Sequence, residues 1–166
     1  MPQSFKVSLL SLALVFLSAC DTYDFSVNDK LVYTPKALFT DFEATDPALQ
    51  QCLEQAIIDG KVSSARELRT LSCSHAGVTT LAGLEVFTGL SKLKLSSNAL
   101  RDIAPLAALT SLEVLLLDSN QIIDTTPLLE LPALIEVNLQ DNPELFCPAD
   151  ESLLMVETIT LPGHCT

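Results

Sequence analysis

The sequence predicts an α/β solenoid: a short right-handed coil with parallel strands on its concave face, a helical cap at its start and disulfide staples at its ends. Three observations carry this. A 22-residue pattern of leucines is written four times, starting at Leu68, Leu90, Leu112 and Leu134. A capped amphipathic helix pattern stands immediately before the first copy, at residues 46–60. Four cysteines, Cys52, Cys73, Cys147 and Cys165, fall in two groups flanking the repeats.

Residues 1–19 read as an export signal. Val7 to Leu17 is an apolar run broken only by Ser8 and Ser11, with Lys6 before it. Such a run is too short to span a bilayer as a mature helix and suits the hydrophobic region of a secretory signal. Leu17-Ser18-Ala19-Cys20 follows directly, and this tetrapeptide resembles the lipobox of bacterial lipoproteins. The resemblance implies cleavage before Cys20, lipidation of its sulfur and anchoring of the mature chain to a bacterial membrane on the exported side. It could be the periplasmic face of the inner membrane or the outer membrane; Asp21 resembles an inner-membrane retention signal of enteric bacteria. More than one acyl chain makes such an anchor stable, at about 0.8 kcal/mol per buried CH₂.

Loss of residues 1–19 removes Lys6 and leaves 8 basic against 21 acidic residues, a formal charge of −13. So acidic a chain has no long-range attraction for nucleic acid or an anionic lipid surface. Residues 20–45 form the expected anchored segment, and Tyr23, Phe25, Tyr33, Phe39 and Phe42 set it apart from a plain tether. The first few residues after Cys20 are expected to act as a leash. Packing of the aromatics against the solenoid is the expectation; a partner-binding surface is the alternative.

Residues 46–67 are expected to supply the amino-terminal cap. Asp46 can accept the free N–H groups of the first turn, and Pro47 fits the first helical position. Leu49, Cys52, Leu53, Ala56 and Ile57 lie at helical spacing, and Gly60 is the expected stop.

Residues 68–148 hold the four repeats, each of the form L-x-x-L-x-L-x-x-N-x-L. The second reads Leu90, Leu93, Leu95, Asn98, Leu100; the third Leu112, Leu115, Leu117, Asn120, Ile122; the fourth Leu134, Val137, Leu139, Asn142. The first keeps the spacing with Leu68, Leu71, Cys73, Ala76 and Val78. The L-x-L alternation marks a short strand with leucines on one face. Apolar residues at wider spacing then mark the return: Leu81, Leu84, Phe87; Ile103, Leu106, Leu109; Leu128, Leu131. Asp102 and Asp124, each ahead of Pro105 or Pro127, suit the start of a 3₁₀ turn. Thr125 stands where Leu81 and Ile103 stand, so a weaker core is expected there. This pattern resembles the leucine-rich-repeat family, in the 22-residue form of internalin-like bacterial proteins.

Register also chooses among the three possible disulfide connectivities. Cys52 and Cys73 belong to the cap and the first coil, and Cys147 and Cys165 to the last coil and the region 149–166, the expected carboxy-terminal cap. Four coils separate the two pairs, so Cys52–Cys73 and Cys147–Cys165 are expected. Cys147 falls at the buried position of Leu81 and Ile103. Each loop of about 20 residues contributes about 3 kcal/mol in the loop-entropy account.

No chemical site is expected. His75 beside Ser72 and Ser74 has no orienting carboxylate and no strained turn, and five glycines leave no phosphate-binding loop. Asp118, Glu136 and Asp141 lack calcium-loop spacing. Catalytic residues, cofactors and metal ligands are therefore expected to be none. What remains is a surface, on the face where the resemblance implies partner binding. Its outward columns run Thr70, Lys92, Val114, Glu136; Ser72, Lys94, Leu116, Asn138; and Ser74, Ser96, Asp118, Gln140. Lys92 and Lys94 grade through apolar Val114 and Leu116 to Asp118, Glu136 and Asn138. The expected function is non-catalytic protein binding at a membrane surface, the partner unidentified. A structural envelope component or a spacer contacting cell-wall glycan is the alternative.

Overall fold

The structure, a computed structural model, describes residues 25–27, 30–33, 36–149, 153 and 156–165. The export signal, Cys20 and the leash lie outside these residues. The chain divides at Ala37/Leu38 into two compact units. In the first, strands β1 (Phe25–Val27) and β2 (Lys30–Tyr33) form an antiparallel hairpin.

The second unit is a parallel sheet built one strand per coil: β3 (Thr70–Ser72), β4 (Lys92–Lys94), β5 (Val114–Leu116), β6 (Glu136–Asn138) and β7 (Thr158–Thr160), paired in sequence order. Every pair is offset by one repeat: Leu71 faces Leu93, Leu93 faces Leu115, Leu115 faces Val137 and Val137 faces Ile159. The sheet thus has five strands where the sequence pattern announced four. Residues 156–161 make the fifth coil, their Val156, Ile159 and Leu161 occupying the register of Leu134, Val137 and Leu139. The run 156–161 alternates as a strand does, but its single leucine and the lack of the asparagine keep it out of the repeat count.

The inward pattern leucines Leu90, Leu93, Leu95, Leu112, Leu115 and Leu117 are fully buried, because each coil covers the one before it. Return segments close as single 3₁₀ turns. Asp102 and Asp124 open two of these by accepting the N–H of Ala104 (2.8 Å) and of Thr126 (2.9 Å). The Thr126 hydroxyl, then its N–H, hold the exposed Asp124 carboxyl below its usual pKa. Thr125 is buried in its leucine position.

The repeated asparagines sew the coils together. Asn98, Asn120 and Asn142 each donate from Nδ2 to two carbonyls, one in their own coil and one in the coil before. Each also accepts an N–H of the preceding coil at Oδ1. The residue before each asparagine, Ser97, Ser119 or Asp141, sits in the left-handed region, as does His75 of the first coil. The turn that swings the asparagine inward requires it.

Helix α1 (Pro47–Gly60) caps the first coil with Leu49, Leu53 and Ile57. Asp46 accepts the N–H groups of Ala48 and Leu49 on one oxygen, and the N–H and hydroxyl of Thr79 on the other. Burial pushes its carboxyl pKa up, but these bonds, led by those from Thr79, outweigh burial and hold it below the usual value. The helix ends at Gly60, the expected stop; the next residue, Lys61, takes the left-handed conformation (φ 49°), and its N–H bonds the carbonyls of Ile57 and Ile58.

Ahead of α1, Phe39 and Phe42 stack on each other at 5.7 Å and both meet the buried Phe87 edge-on, at 5.9 and 5.2 Å. Phe87 stands where later coils have Leu109 and Leu131, and the larger ring reaches this extra layer. Gly83 stands in the register of Pro105 and Pro127. A Cβ there would lie 2.2 Å from the carbonyl oxygen of Glu43, so the cap segment can cross over the first return only because the side chain is missing. These two departures from the repeat were the sequence's sign of packing by residues 39–45.

Candidate functional site

The strand face is assembled by register alone. Lys92, Val114, Glu136 and Thr158 are paired neighbours in one column, and Lys94, Leu116, Asn138 and Thr160 in the next. Coils stack about 4.8 Å apart, so Val114 and Leu116 form an apolar strip between two lysines and a Glu136/Asn138 edge. Both are partly rather than fully exposed. The leucine between them, Leu115, is fully buried on the opposite face.

The charges of this face are unequal. Asp118 accepts the hydroxyl of Ser96 at 2.6 Å and the amide of Asn138 at 3.4 Å, so its carboxylate is held between adjacent coils. Lys92 and Lys94, in contrast, have no carboxylate within ion-pair distance among the described residues. An unpaired pair of lysines on a chain this acidic is a feature a partner's carboxylates could use. Asn138 also accepts the N–H of Gln140 at 3.0 Å, which fixes its amide orientation. The fifth strand extends both columns with Thr158 and Thr160, residues the four-repeat reading left out.

Other expected positions lie elsewhere. His75 and His164 are in the first and last coils, so they do not form a common site. Cys52 is joined to Cys73 and Cys147 to Cys165, one bridge at each end of the coil. Cys147 is exposed rather than buried as its register suggested. In inner coils that position is covered by the next coil; here the chain has turned to Cys165, and among the described residues no later coil packs upon it. Larger apolar exposures than Val114 occur off the strand face: Phe146 at 73%, Leu129 at 51% and Val86 at 44%. A shallow apolar groove of about 260 Å³ also runs between Leu38, Phe42, Ile57 and Ile58. These compete with the strand face as contact surfaces, and isolated exposed side chains were not legible as such in the repeat pattern.

No family model matches the chain, and no curated protein does. Solved structures do. One is an internalin C2 from Listeria monocytogenes, with 33% identity, a TM-score of 0.53, and coverage of 58% of this chain and 42% of that one. Another is the internalin inlF from the same organism, with 26% identity, a TM-score of 0.59, and coverage of 72% and 37%. The fold is therefore a leucine-rich-repeat solenoid similar to that of internalins. The chain spans about two fifths of the length of either protein.

Proposed function

We propose that this chain is a lipid-anchored, non-catalytic module that binds another protein through the strand face of its solenoid, on the exported side of a bacterial membrane. The observation that carries the reading is the Lys92/Lys94, Val114/Leu116, Glu136/Asn138 surface on a rigid sheet. Among the described residues its lysines have no ion-pair partner, and its apolar strip lies centrally, where binding energy concentrates. Likeness to internalins supports a binding role over a catalytic one. The lipobox-like Leu17–Cys20 supports anchoring through Cys20.

The test combines Val114→Asp with Leu116→Asp in one chain, with capture from native membranes and a thermal melt read together. Loss of capture by a folded double variant is the expected result. A folded variant that keeps every captured partner transfers the role to the apolar groove or the exposed return turns. Dependence on the anchor alone, with no sensitivity to the strand face, would favour a spacer in the envelope.

A further inference from the structure

At the carboxy-terminal end the repeat departs from its own rule. Counting 22 residues on from Asn98, Asn120 and Asn142 reaches His164, where an asparagine would continue the ladder. The imidazole does something else. Its Nε2 lies 3.0 Å from the carbonyl oxygen of Leu145. A carbonyl only accepts, so Nε2 carries the proton and Nδ1 carries the lone pair. A backbone carbonyl fixing one ring nitrogen as donor is the usual support of a metal-ligating histidine.

The two sulfurs of the Cys147–Cys165 bridge are beside it: they and a ring nitrogen of His164 all lie within 4.8 Å of one another. Among the described residues no other set of three potential ligands from cysteine, histidine, aspartate or glutamate is so grouped. Two thiolates and an imidazole are the donor set of a tetrahedral zinc site, with Zn–S near 2.3 Å and Zn–N near 2.0–2.1 Å. While the disulfide is intact, the sulfurs are no ligands.

The two bridges differ in access. In the amino-terminal bridge Cys73 is 2% exposed and Cys52 partly exposed, whereas Cys147 is an exposed residue with Cys165 partly exposed and His164 exposed beside it. Thiol–disulfide exchange needs an attacker to reach a sulfur. The carboxy-terminal bridge is the more reachable of the two, and the inner leucine coils do not depend on it for their burial.

We propose that this end of the solenoid is a redox-gated site for a borderline-soft divalent cation of the zinc type, held by Cys147, His164 and Cys165 once their bridge is reduced. The reductant is a dithiol. One of its thiolates attacks Sγ of Cys147, the Cys147–Cys165 bond breaks, and Cys165 leaves as a thiolate. The second thiol then attacks the mixed disulfide, releasing Cys147 as a thiolate and the reductant as its own disulfide. The two thiolates take up the two protons the dithiol lost, and the cation displaces those protons to solvent when it binds. His164 Nδ1 gives the third ligand and water the fourth. The cation then replaces the disulfide as the staple of the last coil. This site is independent of partner binding on the strand face.

The experiment uses the full chain, with any thiol left unlipidated at Cys20 alkylated while both bridges are intact. Limiting phosphine reductant followed by a second alkylation label should mark Cys147 and Cys165 before Cys52 and Cys73. Cobalt(II) is then titrated as a spectroscopic stand-in for zinc. The reduced protein should develop sulfur-to-cobalt charge transfer and the intense visible bands of tetrahedral coordination at one equivalent; the oxidised protein should develop neither. His164→Gln, which leaves the bridge intact in the oxidised form, should weaken binding by at least about tenfold. Circular dichroism of the reduced chain, with and without metal, shows whether the repeats stay folded. Equal labelling rates at both bridges, absence of the cobalt bands, His164→Gln binding as tightly as the parent, or binding only by an unfolded chain would each overturn the proposal.

Discussion

Replacing Asn120 by alanine tests how the coils are held together. Asn120 is buried; its Nδ2 donates to the carbonyls of Leu95 and Leu117, both at 3.0 Å, and its Oδ1 accepts the N–H of Leu100 at 3.1 Å. The three partners are not equally dependent on it. The Leu95 carbonyl keeps a second donor in Asn98 (2.8 Å), and that of Leu117 keeps one in Asn142 (3.1 Å). Only the N–H of Leu100 is left without the acceptor it had, inside a residue with no exposed surface. An orphaned buried donor costs about 1–3 kcal/mol, and each of two shared bonds lost about 0.5 kcal/mol or more, so Asn120→Ala should destabilise by about 2–4 kcal/mol. Asn98→Ala should cost a comparable amount, since besides the exposed N–H of Gly77 it leaves the N–H of the fully buried Val78 without its acceptor. Urea unfolding with both disulfides intact measures the pair. A loss below about 0.5 kcal/mol at Asn120 or at Asn98 would refute the ladder as the source of coil-to-coil stability.

Leu115→Ala should lose about 2–5 kcal/mol in the same assay, since it empties a fully buried position; a surface-like loss would mean the strand register is wrong by one residue. Gly83→Ala should destabilise and loosen the cap, because its Cβ meets the backbone of Glu43 and Ala44; hydrogen exchange of residues 39–45 reads it, and unchanged protection would contradict the crossing. Asp46 has a folded pKa below the ordinary carboxylate value, so its contribution is present above that ordinary value and is lost as pH falls through the folded one. Asp46→Asn should flatten the acid side of the stability profile, and an unchanged profile would rule Asp46 out as its cause. Cys20→Ser should abolish incorporation of a fatty-acid analogue, and equal label in parent and variant would end the lipoprotein reading.

Strand and core positions were legible because a period of 22 repeats the same environment, so each copy checks the others. Leu93, Leu115 and Val137 could be placed inward, and Lys92, Val114 and Glu136 outward, before any coordinates. The pairing of Cys52 with Cys73 followed from the same register. What lay outside the period was harder to read. The fifth strand reads as a strand by its alternation, but Val156 and Ile159 stand in place of leucines, so it did not read as a repeat. Cys147 had the register of a buried residue but, among the described residues, no later return segment covers it. The contact of Phe39 and Phe42 with Phe87 joins residues about 45 apart, which periodicity cannot reveal, though Phe87 and Gly83 both broke their columns to allow it. Exposure of Phe146 and Leu129 likewise depends on which neighbours arrive, a tertiary matter.

The strand face as the contact surface is the central claim, and photo-crosslinking in native membranes tests it most directly. A photoreactive phenylalanine analogue placed at Leu116 should give a discrete adduct, reduced when Lys92 and Lys94 are both changed to Glu. The same probe at Leu129, exposed on a return turn, should give none. An adduct at Leu129 and none at Leu116 would contradict the account.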